Sequence, residues 1–136
     1  MYLFLTIFVV CHLTLKFWDE RNKIKGQTIE QIWFAGVHSN IGGGYRRSGL
    51  SDITLEWMTK KATDAGLLLW PDHRNKVLIS PNHDGKIYPK KIRKIPTGSR
   101  IHTTVFSRID NKESLYNPSN IPSDFKLWNN YGPVGT

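Results

Sequence analysis

The chain has 136 residues, 39% hydrophobic and 22% charged, which suits one packed domain or part of one and excludes two independent cores or a disordered, charge-rich chain. Against 11 Asp and Glu stand 19 Lys and Arg, a net charge of +8 that favours anionic partners such as phospholipid headgroups or nucleic acid. The single cysteine, Cys11, cannot form an intrachain disulfide, and no Cys/His spacing of the zinc-finger kind is present, so stability must come from packing.

Residues 1–15 form the one continuous apolar run, shorter than the ~20 residues that cross a bilayer as a helix. The run lacks the preceding basic region and following small-residue cleavage site of a secretory signal, and the chain shows no lipidation motif, so compartment stays open. Its Ile, Val, Thr, Phe and Tyr fit a buried strand, or a strand and a short helix; a membrane-inserted or wrongly translated segment is the alternative. Residues 16–26 are charged and read as a linker. Residues 1–26 are thus set apart from a body at 27–122 and an irregular tail at 123–136.

Within the body, residues 31–37 read as a buried strand and residues 38–45, with Gly42, Gly43 and Gly44, as a loop. A helix is expected over residues 52–65. Ser51 would cap it, Asp52 would sit in its first turn, and Leu50 would staple onto Leu55. Leu55, Met58, Ala62 and Ala65 would form its apolar face, and Gly66 would end it in a left-handed conformation. Short apolar runs at 67–70 and 77–80 are each stopped by a proline. Residues 86–100 carry six basic residues, residues 101–109 fit a short helix or strand, and Trp128 and Tyr131 could anchor an otherwise irregular tail.

Chemistry concentrates where the strand Trp33-Phe34-Ala35-Gly36-Val37 runs into His38, the glycine turn and the helix. In an open α/β sheet, ligands bind beyond the carboxyl ends of strands, and imidazole suits proton transfer near neutral pH. A loop histidine bonded to a carbonyl is the plain alternative. The glycines match neither a dinucleotide fingerprint nor a P-loop, so no nucleotide cofactor is implied. Ser39 is a poor nucleophile for its neighbour, because adjacent residues at a strand end point to opposite sides.

The block from Trp33 to Tyr45, with Ser48 to Met58 and Ala65-Gly66-Leu67, resembles a broad α/β-hydrolase family that includes lipase effectors of bacterial type VI secretion systems. The likeness continues more loosely through residues 82–87, 101–109 and 116–122. It implies a partial α/β-hydrolase sheet and a Ser-Asp-His hydrolase of phospholipid or other ester bonds, with no metal or cofactor. His38 fits the histidine of such a triad, following a late strand. His102 ranks second, because it begins a segment expected to follow completion of the main sheet. His12, His73 and His83 are expected to be surface or packing residues.

Three departures stand out. Members of that family carry Gly-x-Ser-x-Gly at a strand-to-helix elbow, a pattern found nowhere in this chain. Asp19 and Asp52 lack the strand-end context of the triad acid. Where relatives commonly read His-Ser-Asp, this chain has His38-Ser39-Asn40, which removes a carboxylate beside the histidine. The reading is therefore the C-terminal part of a lipase-like hydrolase, inactive alone. The alternatives are a basic module meeting an anionic membrane surface through residues 86–100, or a partner completing or inhibiting an intact hydrolase. Tyr88 is the single aromatic residue of that basic stretch, which argues against nucleic acid.

Overall fold

The computed structural model describes residues 19–69, 79–88 and 92–135. The strand expected in residues 1–15 lies outside them, as do His12, His73, Trp70 and residues 77–78. The described chain is α/β. It opens with a 3-10 turn at Glu20–Asn22, then β1 (Ile32–Trp33), α1 (His38–Gly42), α2 (Gly49–Asp64), β2 (Arg100–His102), α3 (Thr103–Asp110), β3 (Lys126–Asn129) and β4 (Gly132–Pro133). The sheet order is β1-β2-β3-β4. Strands β1, β2 and β3 run parallel, with Trp33 beside Ile101 and Ile101 beside Leu127, while β4 returns antiparallel to β3.

Parallel strands need crossovers, and the long connection from β1 to β2 supplies α1 and α2. Ile101, 1% exposed at the middle of the sheet, packs with Ala35 and Val105 in the core. Around them lie Trp33, Ile87, Phe106, Ile109, Tyr116 and Phe125, with the Phe106 and Phe125 rings stacked at 4.8 Å.

Several sequence expectations change here. Residues 38–42 are helical rather than loop: the Val37 carbonyl accepts from Asn40 and Ile41 N–H groups at 2.8 and 3.2 Å, and the Asn40 side chain accepts from Val37 N–H at 3.2 Å. Gly43 and Gly44, at φ 86° and 107°, then reverse the chain as only glycine does without strain. Helix α2 begins earlier than expected, because Ser51 lies inside the first turn and donates to the Ser48 carbonyl at 2.8 Å. Its buried side is Leu50, Ile53, Thr54 and Trp57, whereas Leu55 is 40% exposed, so the Leu50–Leu55 staple is absent. The expected stop holds. Gly66 has φ 97° and donates to the Thr63 carbonyl, and Leu67 donates to that of Ala62, the two bonds of a Schellman cap.

The tail is more regular than its Asn, Pro and Gly content suggested. Those residues make one tight turn: Asn129 Oδ1 accepts from the N–H groups of Tyr131 and Gly132 at 2.8 and 3.1 Å, which folds β4 back on β3. Tyr131 is 81% exposed and does not anchor it. Residues 100–110 hold both a strand and a helix.

Trp57, 2% exposed, meets Phe34 edge-on at 5.9 Å. Trp57→Ala should lower the unfolding free energy in urea by about 3–5 kcal/mol, and Leu55→Ala should change it by about 0.5 kcal/mol or less. Equal losses at both positions would mean that α2 presents its other side to the core.

Candidate functional site

The carboxyl ends of the three parallel strands gather the residues of interest. Beyond β1 the chain passes through Phe34, Ala35, Gly36 and Val37 into α1, whose first residue is His38. The side of α1 that carries Asn40 is buried, and Asn40 itself is 2% exposed. The Asn40 amide donates to the Lys86 carbonyl at 3.0 Å while accepting from Val37, so it ties the turn after β1 to the 82–88 loop. The Thr54 hydroxyl of α2 donates to the Ile41 carbonyl and completes the clamp. The His38 imidazole remains half-exposed, and among the described residues no side-chain hydrogen bond or ion pair occupies it.

His102 has the opposite surroundings. It closes β2, the strand paired on both sides, rather than following the sheet. It is 2% exposed, and its ring stacks on Phe34 at 4.7 Å. Nδ1 lies 2.9 Å from Thr104 Oγ1 and accepts from Thr104 N–H at 3.4 Å; Nε2 lies 3.0 Å from Asn130 Oδ1. An acceptor at Nδ1 and an amide oxygen facing Nε2 select the neutral tautomer with its proton on Nε2. Asn130 in turn donates to Glu56 at 3.3 Å. Burial lowers the affinity of His102 for a second proton, opposed by its bond to Asn130.

The other candidates are placed elsewhere. Ser39 follows His38 on a helix rather than at a strand end, and neighbours on a helix do not face each other. Asp19 is an exposed cap of the Glu20–Asn22 turn, paired with Arg21 at 2.8 Å. Asp52 is buried in α2, where it accepts from Ser48 Oγ and Ser80 N–H, both at 3.0 Å. His83 Nε2 lies 3.4 Å from Asp84, and its carbonyl, with that of Gly85, accepts from the buried Arg108 guanidinium that lies over the Tyr116 ring. Among the described residues, no three His, Cys, Asp or Glu side chains converge to hold a metal ion, and no helix is long and apolar enough to cross a membrane.

Sequence reasoning missed Phe34, Glu56, Thr104, Asn130 and Arg108. Only Thr104 carried a signal: it lies two residues beyond a histidine at a strand-to-helix junction, where a side-chain cap is wanted. The partners Glu56 and Asn130 come from segments 74 residues apart and share no motif.

Residues 9–61 match the catalytic domain of the family described as type VI secretion system phospholipase effector Tle1-like. The match spans under half of the chain; it begins within the N-terminal apolar run, contains β1, His38 and α1, and ends inside α2. Residues 62–122, to which the sequence resemblance also extends, lie beyond it. No curated protein and no solved structure matches this chain at a significant level.

Two outcomes follow from this geometry. Because the His102 affinity for a proton is lowered in the fold, the unfolded chain takes up a proton that the folded chain refuses. Stability should therefore be complete above about pH 6.5 and fall below it, by up to ~1.4 kcal/mol per pH unit until the folded-state titration is reached. Urea melts between pH 8 and pH 5 measure this, and His102→Gln should flatten the slope while lowering stability throughout. Asn40→Asp removes the donor to Lys86 and sets a carboxylate against that carbonyl, and should cost about 1–3 kcal/mol in the same melts. An unchanged midpoint would show that the two bonds of the Asn40 amide do not hold α1 in place.

Proposed function

We propose that this chain is the C-terminal part of a lipase- or phospholipase-like serine hydrolase domain of the α/β-hydrolase kind, with His38 as its proton-transfer residue. One observation carries the reading: the unit of strand, histidine, glycine turn and most of the helix falls inside the stretch similar to phospholipase effectors, and its histidine stands past the carboxyl end of a parallel strand. In such chemistry a serine attacks the ester carbonyl, the imidazole takes the serine proton and passes it to the leaving alcohol, and a carboxylate orients the ring. His38 has the exposure this role requires. His102 has both ring nitrogens engaged, and is better suited to holding the strand ends together.

In this reading the other two participants lie elsewhere. No Gly-x-Ser-x-Gly occurs in the sequence, and of the two aspartates considered for the acid, Asp19 is committed to Arg21 and Asp52 to Ser48 and Ser80. The nucleophile and the acid would come from an N-terminal hydrolase portion, and the substrate would be a phospholipid ester. This chemistry asks for no metal and no cofactor.

The chain alone should release no fatty acid from phospholipid vesicles above background, and a rate abolished by His38→Ala would overturn inactivity. Mixed with an N-terminal portion that carries Gly-x-Ser-x-Gly from a similar effector, it should restore hydrolysis. His38→Ala should then reduce that rate by about a thousandfold or more. Equal restoration by wild type and His38→Ala would remove His38 from the mechanism.

A further inference from the structure

We infer that Arg46, Arg47 and Lys86 form one docking surface for a bilayer rich in anionic phospholipid, built on the packed rings of Tyr45 and Tyr88. Sequence pattern placed the basic surface in residues 86–100 alone. The structure joins two separate segments instead. The Tyr45 and Tyr88 rings lie 4.3 Å apart, and the Lys86 ammonium sits 5.0 Å from the centre of the Tyr88 ring. Arg46 and Arg47 follow Tyr45 directly and are exposed, and among the described residues neither has a hydrogen bond or ion pair.

Both segments are held firmly. Asn40 donates to the Lys86 carbonyl at 3.0 Å, Asn82 N–H to that of Gly49 at 2.9 Å, and Arg108 to that of Gly85 at 2.7 Å. Gly85 lies so close to Leu50 that an added Cβ would approach its side chain to 3.1 Å. The cations are thus presented by backbone that is already ordered, and little ordering cost is left for binding. The acidic group nearest in sequence, Asp84, lies 3.4 Å from His83 and acts on the Arg108 guanidinium.

Three cations that have no carboxylate partner among the described residues favour an anionic surface. Tyrosine suits the boundary between headgroups and acyl chains, apolar in its ring and polar at its tip. A nucleic-acid strand would need rings open for base stacking, whereas these two already cover one another at an interplanar angle of 35°. The choice of phospholipid also rests on the hydrolase reading. Binding is measured without turnover, so the two ideas fail separately: loss of vesicle binding leaves His38-dependent hydrolysis to its own test.

The test is co-sedimentation of the whole chain at low salt with phosphatidylglycerol/phosphatidylcholine vesicles and with phosphatidylcholine alone. The chain should bind the anionic vesicles and not the neutral ones, and added salt should release it. The triple variant Arg46→Gln, Arg47→Gln, Lys86→Gln should bind about a hundredfold more weakly. The control Lys94→Gln, Lys112→Gln, Lys126→Gln removes the same charge from other exposed positions, and should lose less than tenfold. Arg47→Gln alone, at an exposed site with no hydrogen bond or ion pair among the described residues, should lose about fivefold, which decides the matter should the triple variant unfold. Equal losses in the two triple variants, equal binding to neutral vesicles, or tighter binding to a single-stranded oligonucleotide would each overturn the inference.

Discussion

A neutral imidazole buried at the end of the middle strand is the constraint on which this fold depends. His102 meets a neighbour from each flanking strand: Phe34 beyond β1 stacks on its ring, and Asn130 beyond β3 faces its Nε2. Through Asn130 the contact continues to Glu56 of α2, and through Thr104 it starts α3. Two short strands and a hairpin bury little apolar surface between them, with β1 and β4 two residues each. Their mutual register therefore leans on polar contacts that tolerate little displacement. An apolar side chain of similar size could fill the space, but would give Asn130 no partner on that side.

The same logic governs the turn after β1. Helix α1 has five residues, well below the length at which a helix holds itself together. It persists because Asn40 satisfies Val37 at its start and reaches across to the Lys86 carbonyl, and because Thr54 takes up the carbonyl of Ile41. A carboxylate at position 40 could accept from Val37 but could not donate to Lys86. The departure from His-Ser-Asp is therefore consistent with the packing of this chain. It exchanges a charge beside His38 for a bond that fixes the segment carrying it.

What could be read from the sequence was local. A strand within residues 31–37, of which only Ile32–Trp33 pairs in the sheet, the glycine reversal, the existence of α2 and its Schellman end all follow from residue types next to one another. The misplaced features depend on distant partners. The buried side of α2 was assigned to Leu55 and Met58 by periodicity, yet Ile53 and Trp57 are the buried ones, Trp57 against Phe34 from beyond β1. The hairpin of β3 and β4 was hidden by a composition that usually marks loops, since its stability comes from pairing with β2. His102 was set outside the sheet for the same reason: nothing in residues 101–109 reveals that Leu127 and Trp128 lie alongside. Of the candidate site, His38 was legible because strand, histidine and glycine are contiguous, whereas the cationic surface was half-legible because only Lys86 belongs to the basic run.

The two histidines illustrate how one side chain serves opposite ends. A proton shuttle must exchange a proton with water or substrate, so it needs an accessible nitrogen and room for the ring to be charged. His38 stands half-exposed on the first turn of a helix held from below by Asn40. His102 lies under Phe34 with a donor at Nδ1 and an acceptor at Nε2, and charging it would break the Thr104 N–H contact and place a cation in the core. Reactivity at His102 would thus come at the expense of the strand ends it joins. Among the described residues no hydrogen bond or ion pair of His38 would be broken by reactivity there, and that difference, more than chain order, is what favours the first histidine for the proposed chemistry and the second for the architecture.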